Sequence, residues 1–398
     1  MDAAEIFGSL LGPAGRSDPY PLYARLHALG PAVPAGPGLV LVTSYDAISS
    51  VLRDPAYRMA TPRAEQLPYG LEHPSMSRTA MLNLNPPAHS RIRGLIAGAF
   101  TARRVAALEP AIAQMTDRML AAMAAAGADG GPVEFMRDFA FLLPVTVICE
   151  LLGVPESDRE GFRPAARDLA ATIEMGVGED VLAAADRAAA WLHEYLGAIA
   201  AERRADPRGD LISALAAGTA EGGLTELELL DNLTLLLVAG FETTAGLLGN
   251  GLAILLADPG QAAALRGGRV PVSSFVEEVL RFDSPVQLTS RCAASDGEIC
   301  GQPVLAGDEV VLIIGAGNRD GRRFTAPDRF DPRRAVSGPL SFGGGPHFCV
   351  GAALARLEAA VAFPRLIARF PRIAAAGPAA RRDGLVLRGF DRLPVTVG

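Results

Sequence analysis

The sequence predicts a mainly α protein. Apolar residues recur at helical spacing over most of its length, and runs with strand character are few and short. Internal repeats, low-complexity tracts and linker-like stretches are absent, which points to a single domain over residues 1–398.

Helical periodicity covers residues 18–30, 45–53, 89–98, 102–126, 135–152, 157–174 and 179–204, and resumes over 225–257, 259–265, 273–282 and 351–369. Residues 39–43 read as a strand, and 309–314 as another, with 301–306 as its hairpin partner; 385–387 and 394–397 suggest a last hairpin. The helix over 225–257 has a readable start, because Thr225 and Glu228 have capping-box spacing, and a readable stop at Asp258-Pro259. At 1.5 Å per residue it spans about 48 Å, enough to cross the molecule. Ser274 with Glu277 marks a second capping box. Between Arg58 and Ala88 prolines interrupt the pattern, and a loop of that length is a candidate lid over a binding site.

Composition narrows the function. A hydrophobic share of 49% with 20% charged residues belongs to a folded globular chain. Its net charge of −7 argues against nucleic acid as the main partner. Every basic residue is arginine, so chemistry that needs a lysine, such as a pyridoxal-phosphate Schiff base or a P-loop, lacks its key group. Cys149, Cys292, Cys300 and Cys349 form no C-x-x-C pair, which suits a reducing cytosol. The N-terminus carries no signal-peptide pattern, so a cytoplasmic location is expected. Residues 233–257 are apolar enough to span a bilayer. An acid such as Glu242 would cost about 2.5–3.5 kcal/mol at mid-membrane, so a buried helix with no membrane association is the better reading.

The strongest chemical signal is Phe342-Gly343-Gly344-Gly345-Pro346-His347-Phe348-Cys349-Val350-Gly351, followed at once by a helical run. Amide groups and the positive dipole end at a helix start stabilise a thiolate, and glycines let backbone approach a flat ligand. A phosphate loop or a structural cysteine would also be compatible with a Gly-rich stretch. In the middle of the long helix, Ala239-Gly240-Phe241-Glu242-Thr243-Thr244 sets an acid beside alcohols. Glu278 and Arg281 share a helical face at i, i+3, and His89 and Arg93 lie one turn apart after Pro86-Pro87.

The pattern Phe-Gly-x-Gly-x-His-x-Cys-x-Gly resembles the haem-binding loop of bacterial cytochromes P450 at every fixed position, and the other three constellations follow in that family's order from about Tyr20 to Val397. The resemblance implies the P450 fold, a helix-rich lobe and a small β-rich lobe around a buried haem b. It makes Cys349 the axial ligand of the haem iron. It assigns the haem contacts to His89, Arg93, Ala239, Gly240, Arg291, Phe342, His347 and Gly351, with His89, Arg93, Arg291 and His347 on the propionates. Glu242 and Thr243 would deliver protons through water for oxygen activation, and Glu278, Arg281 and Arg329 would form a structural network. Positional carry-over puts the substrate against Leu67, Met81, Leu82, Leu169, Ile173, Leu236, Val286, Leu288 and Phe390.

The implied enzyme is a monomeric monooxygenase that inserts one oxygen atom from O2 into a hydrophobic small molecule, in secondary-metabolite hydroxylation or epoxidation. Ferredoxin and ferredoxin reductase would supply its electrons. A peroxide-driven peroxygenase and a catalytically silent partner-binding module are the alternative readings.

Overall fold

The long helix positions everything else. In the computed structural model, which describes residues 1–59, 77, 79–217, 223–335 and 338–397, it runs Glu226–Ala257 over 32 residues. The capping box forms as predicted: Glu228 N donates to Thr225 Oγ1 at 3.2 Å, and Thr225 N donates to the Glu228 carboxylate at 2.9 Å. The helix ends at Asp258 because Pro259 opens the next one, Pro259–Arg266. It is long and apolar enough to cross a membrane, yet 78% of its apolar window is buried inside the protein.

That burial is supplied by the helices Leu142–Leu152, Phe162–Ala171, Glu179–Ala205, Val272–Phe282 and Ala352–Arg369. Leu229, Leu233, Leu237, Leu248 and Leu252 are fully buried, each contributing about 1.5–3 kcal/mol. Glycines let the neighbours come close to the helix backbone. A Cβ on Gly249 would lie 2.8 Å from Met136 Sδ, one on Gly251 2.2 Å from Phe363 Cζ, and one on Gly246 3.0 Å from the Arg388 carbonyl.

Several predicted helices are subdivided. The segment 102–126 breaks at Leu108, since Pro110 belongs to the first turn of a new helix, Glu109–Ala126. Residues 135–152 open with a π-helical stretch, Met136–Ala140, and 157–174 splits into Glu156–Gly161 and Phe162–Ala171. Ser274 caps nothing, because the helix Val272–Phe282 already starts behind Pro271. Short helices such as Ala3–Leu11 and Leu211–Ala216 were not predicted.

The main sheet has five strands in the order Ala32–Gly36, Leu39–Val42, Glu309–Leu312, Thr289–Ala293 and Tyr57–Arg58. Leu39–Val42 and Glu309–Leu312 run parallel, and the other pairs antiparallel. Two hairpin expectations fail. Gln302–Val304 pairs with Gly297–Ile299, since Cys300 (φ 52°) and Gly301 (φ 83°) make a two-residue turn of the kind that suits strand twist. Pro394–Thr396 pairs with Val133–Glu134 and Ala374–Ala375. The amides of Leu385, Val386 and Leu387 donate instead to the Glu174 carboxylate at 2.8, 2.8 and 2.9 Å. Of the candidate lid, the described part contributes the turn Met81–Asn83; Leu67 lies outside the described residues.

Candidate active site

A cavity of about 300 Å³ lies between the long helix and the loop that carries Cys349. Two backbone features shape that loop. Cys349 N donates to the Phe342 carbonyl at 2.9 Å, and Gly345, at φ 62°, passes so near Leu52 that a Cβ would lie 2.2 Å from its carbonyl oxygen. Cys349 opens onto the cavity at the head of the helix Ala352–Arg369. Burial raises its thiol pKa, while the Gly351 amide, Arg93, Arg356 and the Ala352 amide act the other way and favour the thiolate. Cys149, by contrast, is pushed up to about 12 by burial and stays an inert core thiol.

Across the cavity stand Ala239, Gly240, Thr243 and Thr244 of the long helix. Thr243 Oγ1 donates to the Ala239 carbonyl at 2.8 Å, one turn back, so its hydroxyl oxygen can still accept a bond on the cavity side. Met81, Leu82, Leu235, Leu236, Leu247 and Val286 complete an apolar upper wall.

The edge of the cavity is cationic. His89 and His347 face each other with ring centroids 4.1 Å apart, and Arg93 and Arg291 flank them. Burial depresses both imidazoles, His347 to about 4 with His89, Arg291 and Arg93 adding to the effect, so both are neutral near pH 7. Arg93 donates to the Phe348 carbonyl at 2.6 Å, and Arg291 to the Ser290 carbonyl at 2.7 Å. Among the described residues none of the four is in an ion pair, and neither His89 ring nitrogen has a partner. Arg291 is 5% exposed, and desolvation alone lowers its pKa to about 10. A buried guanidinium with no counter-charge among the described residues calls for an anionic ligand.

The cavity's chemistry therefore asks for an apolar body that carries negative charge at one edge and can accept a sulfur ligand. The Cytochrome P450 family model matches residues 272–374. The vitamin D(3) 25-hydroxylase of Pseudonocardia autotrophica is 40% identical over 96% of this chain and 94% of its own length. The cytochrome P450 monooxygenase PikC of Streptomyces venezuelae is 39% identical over 97% and 92%. The ligand-free crystal structure of Mycobacterium smegmatis CYP164A2 superposes with a TM-score of 0.90 at 39% identity, covering 99% and 100%. This chain belongs to the cytochrome P450 family. It is a haem-dependent monooxygenase with the P450 fold.

The residues of this P450 fit haem. The apolar walls match a porphyrin face, the four cation-capable groups match two propionates, and Cys349 offers the sulfur. The structure brings together Cys349, Phe342, Gly351, His347, His89, Arg93, Arg291, Ala239, Gly240 and Thr243 around one cavity, with Met81, Leu82, Leu236 and Val286.

Other predicted positions fall elsewhere. Glu242 is not on the cavity wall: its Oε2 accepts a bond from Arg382, and its buried Oε1 has no partner among the described residues. Consecutive helical residues diverge by about 100°, so Thr243 and Glu242 cannot both face the cavity squarely. Burial raises the Glu242 pKa, against the pull of Arg382. Leu169 packs in the main core, Leu288 packs in a second core with Tyr23 and Leu41, and Phe390 lies under Arg381 at 3.9 Å. Ile173 is 42% exposed. These apolar residues serve packing or surface in this structure, so only part of the predicted substrate list lines the cavity.

Glu278 and Arg281 form the expected bidentate pair, both bonds 2.8 Å long, and Arg281 also binds the carbonyls of Asn318, Pro327 and Arg329. Arg329 contributes that carbonyl while its side chain is exposed; the second guanidinium beside Glu278 is Arg334, at 3.4 Å. Arg334 and Glu358 escaped the sequence reading. Glu358, on the cysteine helix, lines the cavity fully buried, and its Oε2 has no partner. Its spacing from Cys349 carries no local signal for that role.

Proposed function

We propose that this P450 oxidises an apolar small molecule of secondary metabolism in the cytosol, with electrons from a ferredoxin and its reductase. The observation that carries the substrate class is the upper wall: Met81, Leu82, Leu235, Leu236, Leu247 and Val286 offer no charge, so an apolar body is favoured there. The relative named for vitamin D(3) is consistent with it. Support for an acidic electron donor comes from the outer side of the cysteine helix. A groove there is lined by Val105, Val276, Leu357 and the Arg356–Glu277 ion pair, so the positive charge beside it that is unpaired among the described residues comes from Arg103 and Arg104, exposed on the adjoining helix Ala102–Ala107.

In this reading Cys349 would supply the sulfur that holds the haem iron; burial raises its thiol pKa, and the Gly351 and Ala352 amides with Arg93 and Arg356 partly offset that cost to the thiolate. Haem, when bound, supplies the activation of O2 and the insertion of one oxygen atom into the substrate. His89, Arg93, Arg291 and His347 would hold the propionates, which would give Arg291 a counter-charge that no described residue supplies. Thr243 keeps its proton directed at the Ala239 carbonyl and so presents an acceptor that orders water in the cavity. Glu242, held by Arg382 off the cavity wall, takes no direct part at that water. The apolar wall excludes bulk water from the reacting end of the substrate.

The test is a reconstitution with ferredoxin, reductase and NADPH against a panel of apolar natural products. Substrate-dependent NADPH consumption matched by a product one oxygen heavier is expected, together with a red-shifted Soret band of the reduced carbon monoxide complex that Cys349→Ser abolishes. Equal product from hydrogen peroxide without the redox proteins would overturn the electron-donor assignment, and an unchanged Soret band in Cys349→Ser would overturn the ligand.

A further inference from the structure

Two polar residues near the start of the long helix are buried with no part in oxygen chemistry. Asp231 is 4% exposed and Asn232 0%. Burying a carboxylate and an amide is unfavourable unless each is fully bonded, and both are bonded to the same short segment. Asp231 Oδ2 accepts from the hydroxyls of Ser77 and Thr79, while Oδ1 lies 3.3 Å from His193 Nε2 on the helix Glu179–Ala205. Burial works against this carboxylate, and the bonds from His193, Ser77 and Thr79 outweigh it, holding its pKa below the ordinary range. Asn232 Oδ1 accepts from Met81 N at 2.8 Å, and its Nδ2 donates to the Thr79 carbonyl at 3.0 Å and the Glu228 carbonyl at 2.7 Å. Ser77 Oγ in turn accepts from Ala80 N at 2.9 Å.

The placement gives this cluster a purpose. Residues four apart share a helical face, so Asp231, Leu235 and Ala239 form one row, and Asn232, Leu236 and Gly240 another. The lower members of both rows line the cavity. The clamp therefore sits one turn above the cavity, and the peptide group it grips directly is that of Met81, which lines the cavity together with Leu82. We propose that Asp231 and Asn232, braced by His193, are positioning residues for substrate: they set Met81 and Leu82 at a fixed height over Leu235, Leu236 and Ala239. They thereby determine which ligand shapes fit. The inference rests on the proposed haem site across the same cavity.

The experiment titrates the haem-loaded protein with two azoles that bind the iron, imidazole and the longer 4-phenylimidazole, reading the Soret shift. Only the longer one extends toward the apolar wall. Asp231→Ala and Asn232→Ala should weaken 4-phenylimidazole about tenfold, the ratio equivalent to ~1.4 kcal/mol, and leave imidazole within about twofold. Asp231→Asn, which keeps an acceptor for the two hydroxyls, should recover most of the loss. Thr79→Val removes one hydroxyl at constant shape and should weaken the longer azole about threefold; it decides the matter if the alanine variants do not fold. Equal weakening of both azoles with a lower Tm, or no change in their ratio, would overturn the positioning role. No Soret response to imidazole in the unmodified protein would instead overturn the haem site, and the clamp's role with it.

Discussion

Glu358 offers a test of the cavity wall that needs no substrate. Its carboxyl is buried, Oε2 has no partner among the described residues, and desolvation raises its pKa well above 4.5. The perturbation is Glu358→Gln, which keeps the shape and removes the titration. Below about pH 4.5 the group is protonated in both folded and unfolded chains and contributes no pH dependence. Above it the unfolded chain releases the proton while the folded chain keeps it, so the folded state binds more protons and stability falls as pH rises. The slope is about 1.4 kcal/mol per pH unit, and it flattens only when pH passes the folded pKa. Two units of pH are thus worth about 2.7 kcal/mol, a large share of a typical folding free energy of about 5–15 kcal/mol. The glutamine variant lacks this slope, and any fixed cost of burying its amide does not vary with pH. Urea unfolding of both proteins at half-unit steps from pH 5 to pH 8 should show the variant gaining on the wild type by about 1.4 kcal/mol per unit and then levelling off. Parallel stability curves over that range would refute the assignment of a neutral, partnerless acid.

Further outcomes follow from the same geometry. Arg281→Met should cost about 3–5 kcal/mol, because it removes the bidentate partner of the buried Glu278 and the donor of three carbonyls, whereas Arg334→Met, which loses a 3.4 Å contact to Glu278 and more exposed bonds to the carbonyls of Thr325, Ala326 and Arg329, should cost less, about 1–2 kcal/mol; denaturant midpoints separate the two. Gly251→Ala should destabilise by about 1–3 kcal/mol through collision with the Phe363 ring, measurable as a lower urea midpoint. Arg291→Met should speed loss of haem to apomyoglobin if Arg291 is the propionate partner proposed above, and an unchanged rate would remove it from that role. Thr243→Ala should raise hydrogen peroxide release per NADPH consumed; fully coupled turnover would remove the threonine from proton delivery.

What could be read from the sequence was whatever is local. The long helix announced itself because its cap, its apolar period and its proline stop are all contiguous, and the cysteine loop because ligand, glycines and helix start fall within ten residues. What escaped was set by partners distant in the chain. Glu242 turns away from the cavity because Arg382, 140 residues later, holds it, and Glu278 meets Arg334 across 56 residues. The expected last hairpin is missing because Glu174, more than 200 residues earlier, takes the amides of Leu385, Val386 and Leu387. Leu169, Leu288 and Phe390 were misplaced for a different reason: an apolar side chain reads the same whether it lines a pocket or fills a core.

The glycine contacts of the long helix bear on how this enzyme can move. Met136, Phe363 and the Arg388 carbonyl press against its backbone at Gly249, Gly251 and Gly246. Like wards in a lock, they oppose sliding and rotation of the helix, since close packing leaves little space for either. Close packing at these glycines thus supports the height of Thr243 relative to Cys349. A bulkier residue at Gly249 would meet Met136 and shift the helix that carries Thr243, from six residues away and without touching it.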